Sequence, residues 1–512
     1  MRRPEDFPDA HLRVFARPPL PAPEALRDVF LVGVCGKGMG ALAELFAASG
    51  RRVRGSDAAA YPPMSTRLAA AGVDVLDGYD ATHLVPAPGL TVVGNAAIPT
   101  HVEAAFAREA GLVQASFPEA LAAYFLAGRR PVVVAGTHGK TTTTGLLTHV
   151  LGAAGLDPGF LVGGVMVGRE ATSGLGSGPH FVVEGDEYDA AYFDKRPKML
   201  LYRPQVAVVT SVEFDHADIY DGPADYRAAF ETFVGLIPDA DAGGRLVLWG
   251  DDPGVRDLAA HTRAAVTLYG DGPGCDVTAR DVRAEAGGQR FRIVARGAAG
   301  DDDAEAFLPL GGAFNRHNAL AVAAVALGEG VPLAAVAAAL GTFGGMARRQ
   351  EAAGEFGGVL VVDAFAHHPT AVAATVAAVR ERWAERFSPP EAGGLGGRLV
   401  AVFEPRSNSS RRKTFEARYG EAFGAADRAF LSAPPLRHND SADDFLDPAA
   451  VARAATARGT PAAAYDSASD LLPDLAAALR PGDVALVMSN GSFDGLVARL
   501  AAALGPATAD AA

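Results

Sequence analysis

At 512 residues with 49% hydrophobic content, the chain is too long for one core and apolar enough to fill about three. A formal net charge of −14 with no basic block excludes nucleic acid as the main partner, because nothing is present to neutralise a phosphate backbone. The two cysteines, Cys35 and Cys275, form no C-x-x-C pair, so neither a disulfide framework nor a zinc site is supported, and a reducing cytoplasm fits.

Residues 1–27 carry Pro4, Pro8, Pro18, Pro19, Pro21 and Pro23 and no apolar h-region, so they read as a loose, in part ordered, Pro-rich extension rather than a secretory signal. No apolar run approaches the roughly eighteen residues that cross a bilayer, so no membrane insertion is expected. Ordered sequence opens with the buried-strand pattern Asp28-Val-Phe-Leu-Val-Gly33. Gly36-Lys37-Gly38-Met39-Gly40 and an Ala/Leu-rich helix to Ser49 follow, then a strand from Arg51 to Ser56-Asp57. This is the first β-α-β of a doubly wound sheet, with glycines where a pyrophosphate would approach and an acid at the tip of the second strand. A nucleotide is the expected ligand; a glycine-rich packing turn is the alternative. A strand at Leu90–Asn95 and a helix over 102–109 continue the alternation, and Gly128-Arg-Arg-Pro131 marks a boundary.

The apolar run from Pro131 ends in Gly136-Thr-His-Gly-Lys140-Thr-Thr-Thr-Thr144. A strand, a glycine-containing loop and a helix start in this order let backbone N–H groups close around phosphate oxygens at the positive end of a helix dipole. Lys140 can reach the β/γ-phosphates and the Thr141 hydroxyl can ligate Mg²⁺, so MgATP is the expected ligand. Counted from Gly136 the loop is shorter than G-x-x-x-x-G-K-[ST], and a simple turn before a Thr-rich helix is the alternative. Two further strands, His180–Glu184 with the acids through Glu187, and Val206–Val212 leading to Asp215-His216, end in acids that should face this loop. Glu184 and His216 are therefore candidate Mg²⁺ ligands, with a capping or core-edge histidine as the alternative for His216. Residues 245–308 hold short strands and no readable chemistry. Asn315 and Asn318, three apart at a helix start, can serve as a cap and a ligand contact.

Gly341-Thr-Phe-Gly-Gly-Met-Ala-Arg348-Arg349 reads as a hinge, after which strand–helix alternation restarts. Ala364-Phe-Ala-His367-His368-Pro369-Thr370, Glu404-Pro-Arg406-Ser407-Asn408 and Ser489-Asn490-Gly491 each follow an apolar strand, so a third doubly wound domain is expected. Arg411-Arg412-Lys413 reads as a solvated turn.

In order, Gly136-Thr-His-Gly-Lys-Thr-Thr-Thr143, the acidic strand end at Glu184, Asp215-His216, Asn315-x-x-Asn318, Arg348-Arg349 and His367-His368-Pro369-Thr370 resemble the motifs of the Mur ligases, ATP-dependent amide-forming enzymes of peptidoglycan assembly. Tyr61-Pro-Pro-Met-Ser65, Phe193-Asp-Lys-Arg196, Glu213-Phe-Asp-His-Ala-Asp-Ile219, Glu404-Pro-Arg-Ser-Asn408 and Val487-Met-Ser-Asn-Gly491 look like the murein peptide ligase branch, which serves recycling. The resemblance implies an α/β chain with the three-domain Mur ligase architecture. Its parts would be a Rossmann-like UDP-sugar domain over 28–129, a central P-loop ATP domain over 130–345 and a Rossmann-like peptide domain over 346–512. It also implies the joining of UDP-N-acetylmuramate to L-alanyl-γ-D-glutamyl-meso-diaminopimelate through an acyl phosphate, by a cytoplasmic monomer using ATP and Mg²⁺.

Carried over by position, Gly36, Lys37, Gly38, Met39, Ser56 and Asp57 would line the UDP-sugar site. Gly136, Thr137, His138, Gly139, Lys140, Thr141 and Thr142 would hold ATP phosphates, Asn315 and Asn318 would face adenine, and Arg349 would meet the phosphates. Thr141 and Glu184 would hold one Mg²⁺ and His216 a second; Lys140, Glu184 and His216 would be catalytic. His367, Arg406, Ser407 and Asn408 would contact the peptide. Two positions depart from the family pattern: Ala364 stands where a second acid is expected near the ATP ribose, and Ser211 where an asparagine is usual. Other readings are a UDP-N-acetylmuramate–L-alanine ligase, a weakened UDP-sugar and ATP sensor, and a nucleotide-dependent oxidoreductase resting on Gly33 to Asp57 alone.

Overall fold

The computed structural model of the chain describes residues 3–60, 64–169, 171–216, 219–297, 300–434 and 445–506. Three α/β units follow one another, each built where apolar, β-branched runs alternate with alanine-rich helices. In the first, five parallel strands lie in the order Asp74–Asp77, Arg52–Asp57, Asp28–Val32, Leu90–Val93 and Gln114–Ser116. From Asp28–Val32 the chain passes to Arg52–Asp57 and Asp74–Asp77 on one side and then crosses to Leu90–Val93 on the other, which opens a crevice beyond the carboxyl end of Asp28–Val32, where the helix Lys37–Ala48 begins.

In the second unit Arg130–Ala135 lies parallel between Val206–Val209 and His180–Gly185. All three strands are buried along their length, as their continuous hydrophobic runs require in a parallel sheet covered on both faces. Val134 pairs with Glu184 in register, so the acid lies beside the end of the strand that feeds the loop. Residues 245–308 extend this sheet through two parallel strands, Arg245–Trp249 and Ala265–Tyr269, into the antiparallel edge of Val277–Glu285, Gly288–Ala295 and Asp302–Leu308. The third unit inserts Val484–Met488 parallel between Val359–Ala364 and Leu399–Phe403. Every described strand end that carries a motif thus opens toward a cleft between units.

Apolar packing divides the units unequally. One core cluster runs continuously from Val29, Leu31 and Phe46 of the first unit to Val133, Phe181 and Phe230 of the second. The C-terminal sheet instead buries its faces in two clusters of its own, one around Leu360, Val376 and Tyr419 and the other around Val361, Phe430 and Leu496. Between the second and third units the chain passes through Gly345, Arg348 and Gln350 with positive φ, at the predicted hinge.

The N-terminal extension is held in place by contacts of residues 13–17. Phe15 packs on Tyr192 and Phe193, Arg13 donates to the Tyr192 carbonyl, and Arg17 makes a two-pronged pair with Glu119 at 2.7 and 2.9 Å. Its prolines hold it extended, so it straps the first unit to the second. No described helix is long and apolar enough to cross a membrane. Tyr61, Pro62 and Pro63 and also Ala217 and Asp218, parts of two of the quoted strings, lie outside the described residues.

Candidate active site

The strand Arg130–Ala135 hands over to the helix Lys140–Ala153 through a loop that requires glycine at both ends. Gly136 has φ 134° and Gly139 φ 82°. A Cβ would lie 2.1 Å from Thr210 Oγ1 at Gly136 and 2.6 Å from Asn318 Oδ1 at Gly139. Beneath the loop, Ser211 Oγ accepts from the His138 N–H at 2.9 Å and the Ser211 carbonyl from the Thr137 N–H at 3.1 Å. The serine that departs from the family pattern therefore pins the loop from below. Thr142 is buried at the start of the helix.

Lys140 Nζ donates to the Gly136 carbonyl at 2.5 Å and to Glu187 Oε2 at 2.8 Å. Burial works against its charge, yet the carboxylates of Glu187, Asp186 and Glu184 outweigh burial and raise its pKa. The other oxygen of Glu187 meets His216 Nε2 at 3.1 Å. Burial would lower the His216 pKa, but Glu187 and Asp215 push it up to about 9, so this histidine is held protonated. Burial likewise opposes ionisation of Glu187, and Lys140 and His216 bring its pKa down to about 2. Glu187 is the bridge of this cluster and was not assigned from sequence; of the three acids at one strand end, only the backbone path shows which turns inward.

Thr141 donates to Glu184 Oε2 at 3.0 Å, and the Gly163 N–H donates to Oε1. Burial and then Asp186 raise the Glu184 pKa against those two donors and Lys140. From the third unit, Arg349 reaches Thr141 Oγ1 at 3.4 Å while donating to the Phe365 carbonyl at 2.9 Å. Burial lowers its pKa to about 10, with Glu184 opposing. From the first unit, Lys37 lies 5.6 Å from the Phe365 ring centroid. Desolvation by its surroundings, then Arg348 and Arg349, lower its pKa, while Glu184 works against them. Side chains from all three units thus meet beside the loop: Arg349 reaches Thr141, and Lys37 and Arg349 both lie over the Phe365 ring.

Gly36 caps the first helix, Gly38 lies against Phe117, and Met39 is buried behind them. Asp57 Oδ2 accepts from the Cys35 N–H at 2.8 Å and closes the glycine turn. Ser56 is fully buried with its hydroxyl 2.5 Å from Glu103, so it supports the turn from beneath and does not present itself at the crevice. Asn315 and Asn318 are also buried: Asn315 donates to the Gly311 carbonyl at 2.8 Å, and Asn318 abuts Gly139, which sets the pair against the phosphate loop.

Across the cleft His367 Nε2 lies 3.9 Å from Asp215 Oδ2, and burial lowers the His367 pKa to about 4 against the pull of that acid. Arg406 lies along Gly491, where a Cβ would come within 2.2 Å of its Cδ, and donates to Glu404 at 3.3 Å. Ser407 Oγ donates to Ser410 Oγ at 2.8 Å, which shapes the turn that also carries Asn408. Arg411 is not solvated as expected: it is 5% exposed and stacks over Phe445, since the turn packs inward. Ala364 is 2% exposed and packs with Leu360, Val362 and Ala366, while its neighbour Asp363 faces Arg348 at 3.0 Å.

Comparison with known proteins follows this layout. Residues 28–129 match the Mur ligase family catalytic domain, 134–326 the Mur ligase middle domain and 348–491 the Mur ligase glutamate ligase domain. The chain is 36% identical over 485 residues to the UDP-N-acetylmuramate–L-alanyl-γ-D-glutamyl-meso-2,6-diaminoheptandioate ligase of Escherichia coli, covering 92% of this chain and 97% of that protein. It is 38% identical over 483 residues to the UDP-N-acetylmuramate–L-alanine ligase of Acidothermus cellulolyticus, covering 92% and 94%. The crystal structure of a murein peptide ligase from Psychrobacter arcticus superposes with a TM-score of 0.69 at 32% identity, covering 94% of this chain and all of that one.

Proposed function

The chain belongs to the Mur ligase family, and from that premise we propose that it joins UDP-N-acetylmuramate to L-alanyl-γ-D-glutamyl-meso-diaminopimelate with release of ADP and phosphate. The observation that carries this reading is the meeting of the three units at the phosphate loop: Arg349 of the third reaches Thr141 Oγ1 at 3.4 Å, Thr141 donates to Glu184 at 3.0 Å, and Lys37 of the first lies 5.6 Å from the Phe365 ring centroid of the third. A sugar carboxylate brought by the first unit, a triphosphate on the second and an amine on the third would meet there.

A carboxylate is a poor acyl donor, so the lactyl carboxylate oxygen first attacks the γ-phosphorus and the bond to the β-phosphate oxygen breaks. Lys140 and Arg349 neutralise the charge of the transferring group, and the backbone N–H groups of 139–142 at the start of the helix hold the β- and γ-phosphates while Ser211 engages those of Thr137 and His138, so catalysis rests on positioning and electrostatics. The peptide amine then attacks the acyl carbon and phosphate leaves. The Thr141 hydroxyl and the Glu184 carboxylate offer the hard oxygen donors that suit Mg²⁺, which when bound would draw off phosphate charge. His216, whose Nε2 is bonded to Glu187 at 3.1 Å, would hold a second ion in exchange for that contact.

Gly36, Lys37, Gly38, Met39 and Asp57 take the UDP-sugar in this reading, with Ser56 supporting them. Gly136 to Thr142, Asn315 and Asn318 take ATP, and His367, Arg406, Ser407 and Asn408 take the peptide. The two-pronged guanidinium of Arg406 suits a peptide carboxylate. A monomer is the oligomeric state proposed, and its ATP and UDP-sugar substrates set the reaction in the cytoplasm. Phosphate release from ATP that depends on both UDP-N-acetylmuramate and the tripeptide is the expected result; release with neither present contradicts it.

A further inference from the structure

Glu213 stands in a seam between the second and third units and belongs to none of the sites above. Its backbone is fastened to the phosphate loop twice: the Glu213 N–H donates to Thr137 Oγ1 at 2.9 Å, and the Thr137 hydroxyl donates to the Glu213 carbonyl at 2.7 Å. Its side chain divides between the two sides. Oε2 meets His138 Nε2 of the loop at 2.9 Å. Oε1 accepts from Thr370 Oγ1 at 2.9 Å and from Arg418 Nη2 at 2.7 Å, both of the C-terminal unit, and Arg418 also donates to Thr370 at 2.8 Å.

The C-terminal unit buries its sheet in apolar clusters of its own, and the contacts of Thr370 and Arg418 with Glu213 are polar. We propose that Glu213 is a positioning residue that couples the conformation of the phosphate loop to the docking of the C-terminal unit, and so sets the distance between the acyl phosphate and the peptide amine. The idea rests on the ligase reading above. A loop carrying ATP phosphates holds Thr137 and His138 in place, and those two residues hold the carboxylate that Thr370 and Arg418 grip. Burial acts against the charge of Glu213, but His138, Arg418, His368 and Thr370 outweigh it and hold its pKa well below the usual carboxylate range, so the grip is that of an ionised group. The donor atoms of His138, Glu213 and His368 also lie within 4.8 Å of one another. The Arg418 guanidinium on the same carboxylate would repel a cation, so a latch fits these contacts better than a metal site.

The test uses the full-length chain with E213Q, R418Q and the pair together. Arg418 is half exposed, so R418Q leaves the core intact. Each single variant is expected to lower kcat about fivefold to tenfold with the KM for UDP-N-acetylmuramate unchanged, and the double variant to lose no more than E213Q alone, because both act through one contact. Losses that multiply, or a kcat that stays at the wild-type value, overturn the proposal. Small-angle scattering needs no turnover: E213Q is expected to enlarge the radius of gyration of the ligand-free chain, and an unchanged radius overturns the latch. Absence of phosphate release by the wild type would instead overturn the ligase reading, leaving the scattering result to decide the latch.

Discussion

Lys140 Nζ lies 2.8 Å from Glu187 Oε2, so the cation of the phosphate loop is held by a carboxylate that is itself 2% exposed and shared with His216. In Glu187→Gln both cations keep their burial and lose their common counter-charge. Breaking a buried pair from one side costs about 3–5 kcal/mol, and a fall in unfolding free energy of that size in denaturant titrations is expected. An unchanged midpoint would show that the pair is not buried in solution.

Lys140→Ala should abolish turnover and leave UDP-sugar binding nearly unchanged, since the first unit carries that ligand. Losing a preorganised cation at the transferring phosphoryl group raises the barrier by on the order of 3 kcal/mol or more. Parallel phosphate-release and UDP-sugar titrations check this, and retained activity removes the loop from the mechanism.

For Arg406→Lys the KM for peptide should rise much more than the KM for ATP, because an ammonium cannot reproduce the paired contact of a guanidinium with a carboxylate. Gly491 leaves room for the longer side chain to lie flat, so Gly491→Ala should act in the same direction. Equal rises in both KM values would give Arg406 a structural role instead.

Glu329 ties the helix Ala313–Gly328 to the strand of the phosphate loop through Arg130 at 2.7 Å and to the neighbouring strand through His180 at 2.8 Å. Burial opposes its ionisation, but these partners bring its pKa from 4.5 to about 2. With the folded value below the unfolded one, its contribution is complete above pH 4.5 and is lost as the pH falls toward 2. The gap in melting temperature between the wild type and Glu329→Gln should therefore shrink over that window. A gap that is constant with pH would exclude ionisation as its source.

The strand, loop and helix from Pro131 to Ala153 were legible because glycine positions, an apolar run and Gly-Lys-Thr all specify the same local structure. That Glu184 and Asp57 stand at strand ends was legible as well, since a strand pattern closing on an acid marks the end of a parallel strand; their ligand roles are proposals. Ser56 was placed at the crevice because sequence adjacency to Asp57 says nothing of the pleat, which turns its side chain inward to Glu103. Glu187 and Glu213 escaped because their roles depend on long-range docking. Glu187 meets a histidine held at φ 55°, and Glu213 meets residues of another unit far along the chain. Composition gave no place for the Pro-rich extension, because Phe15 and Arg17 decide its packing through residues far along the chain.

The central claim is tested most directly by measuring phosphate release with ATP, UDP-N-acetylmuramate and, separately, L-alanine or L-alanyl-γ-D-glutamyl-meso-diaminopimelate. A higher kcat/KM with the tripeptide is the predicted result. A preference for L-alanine would contradict the assignment and put the chain with the biosynthetic ligases it also resembles.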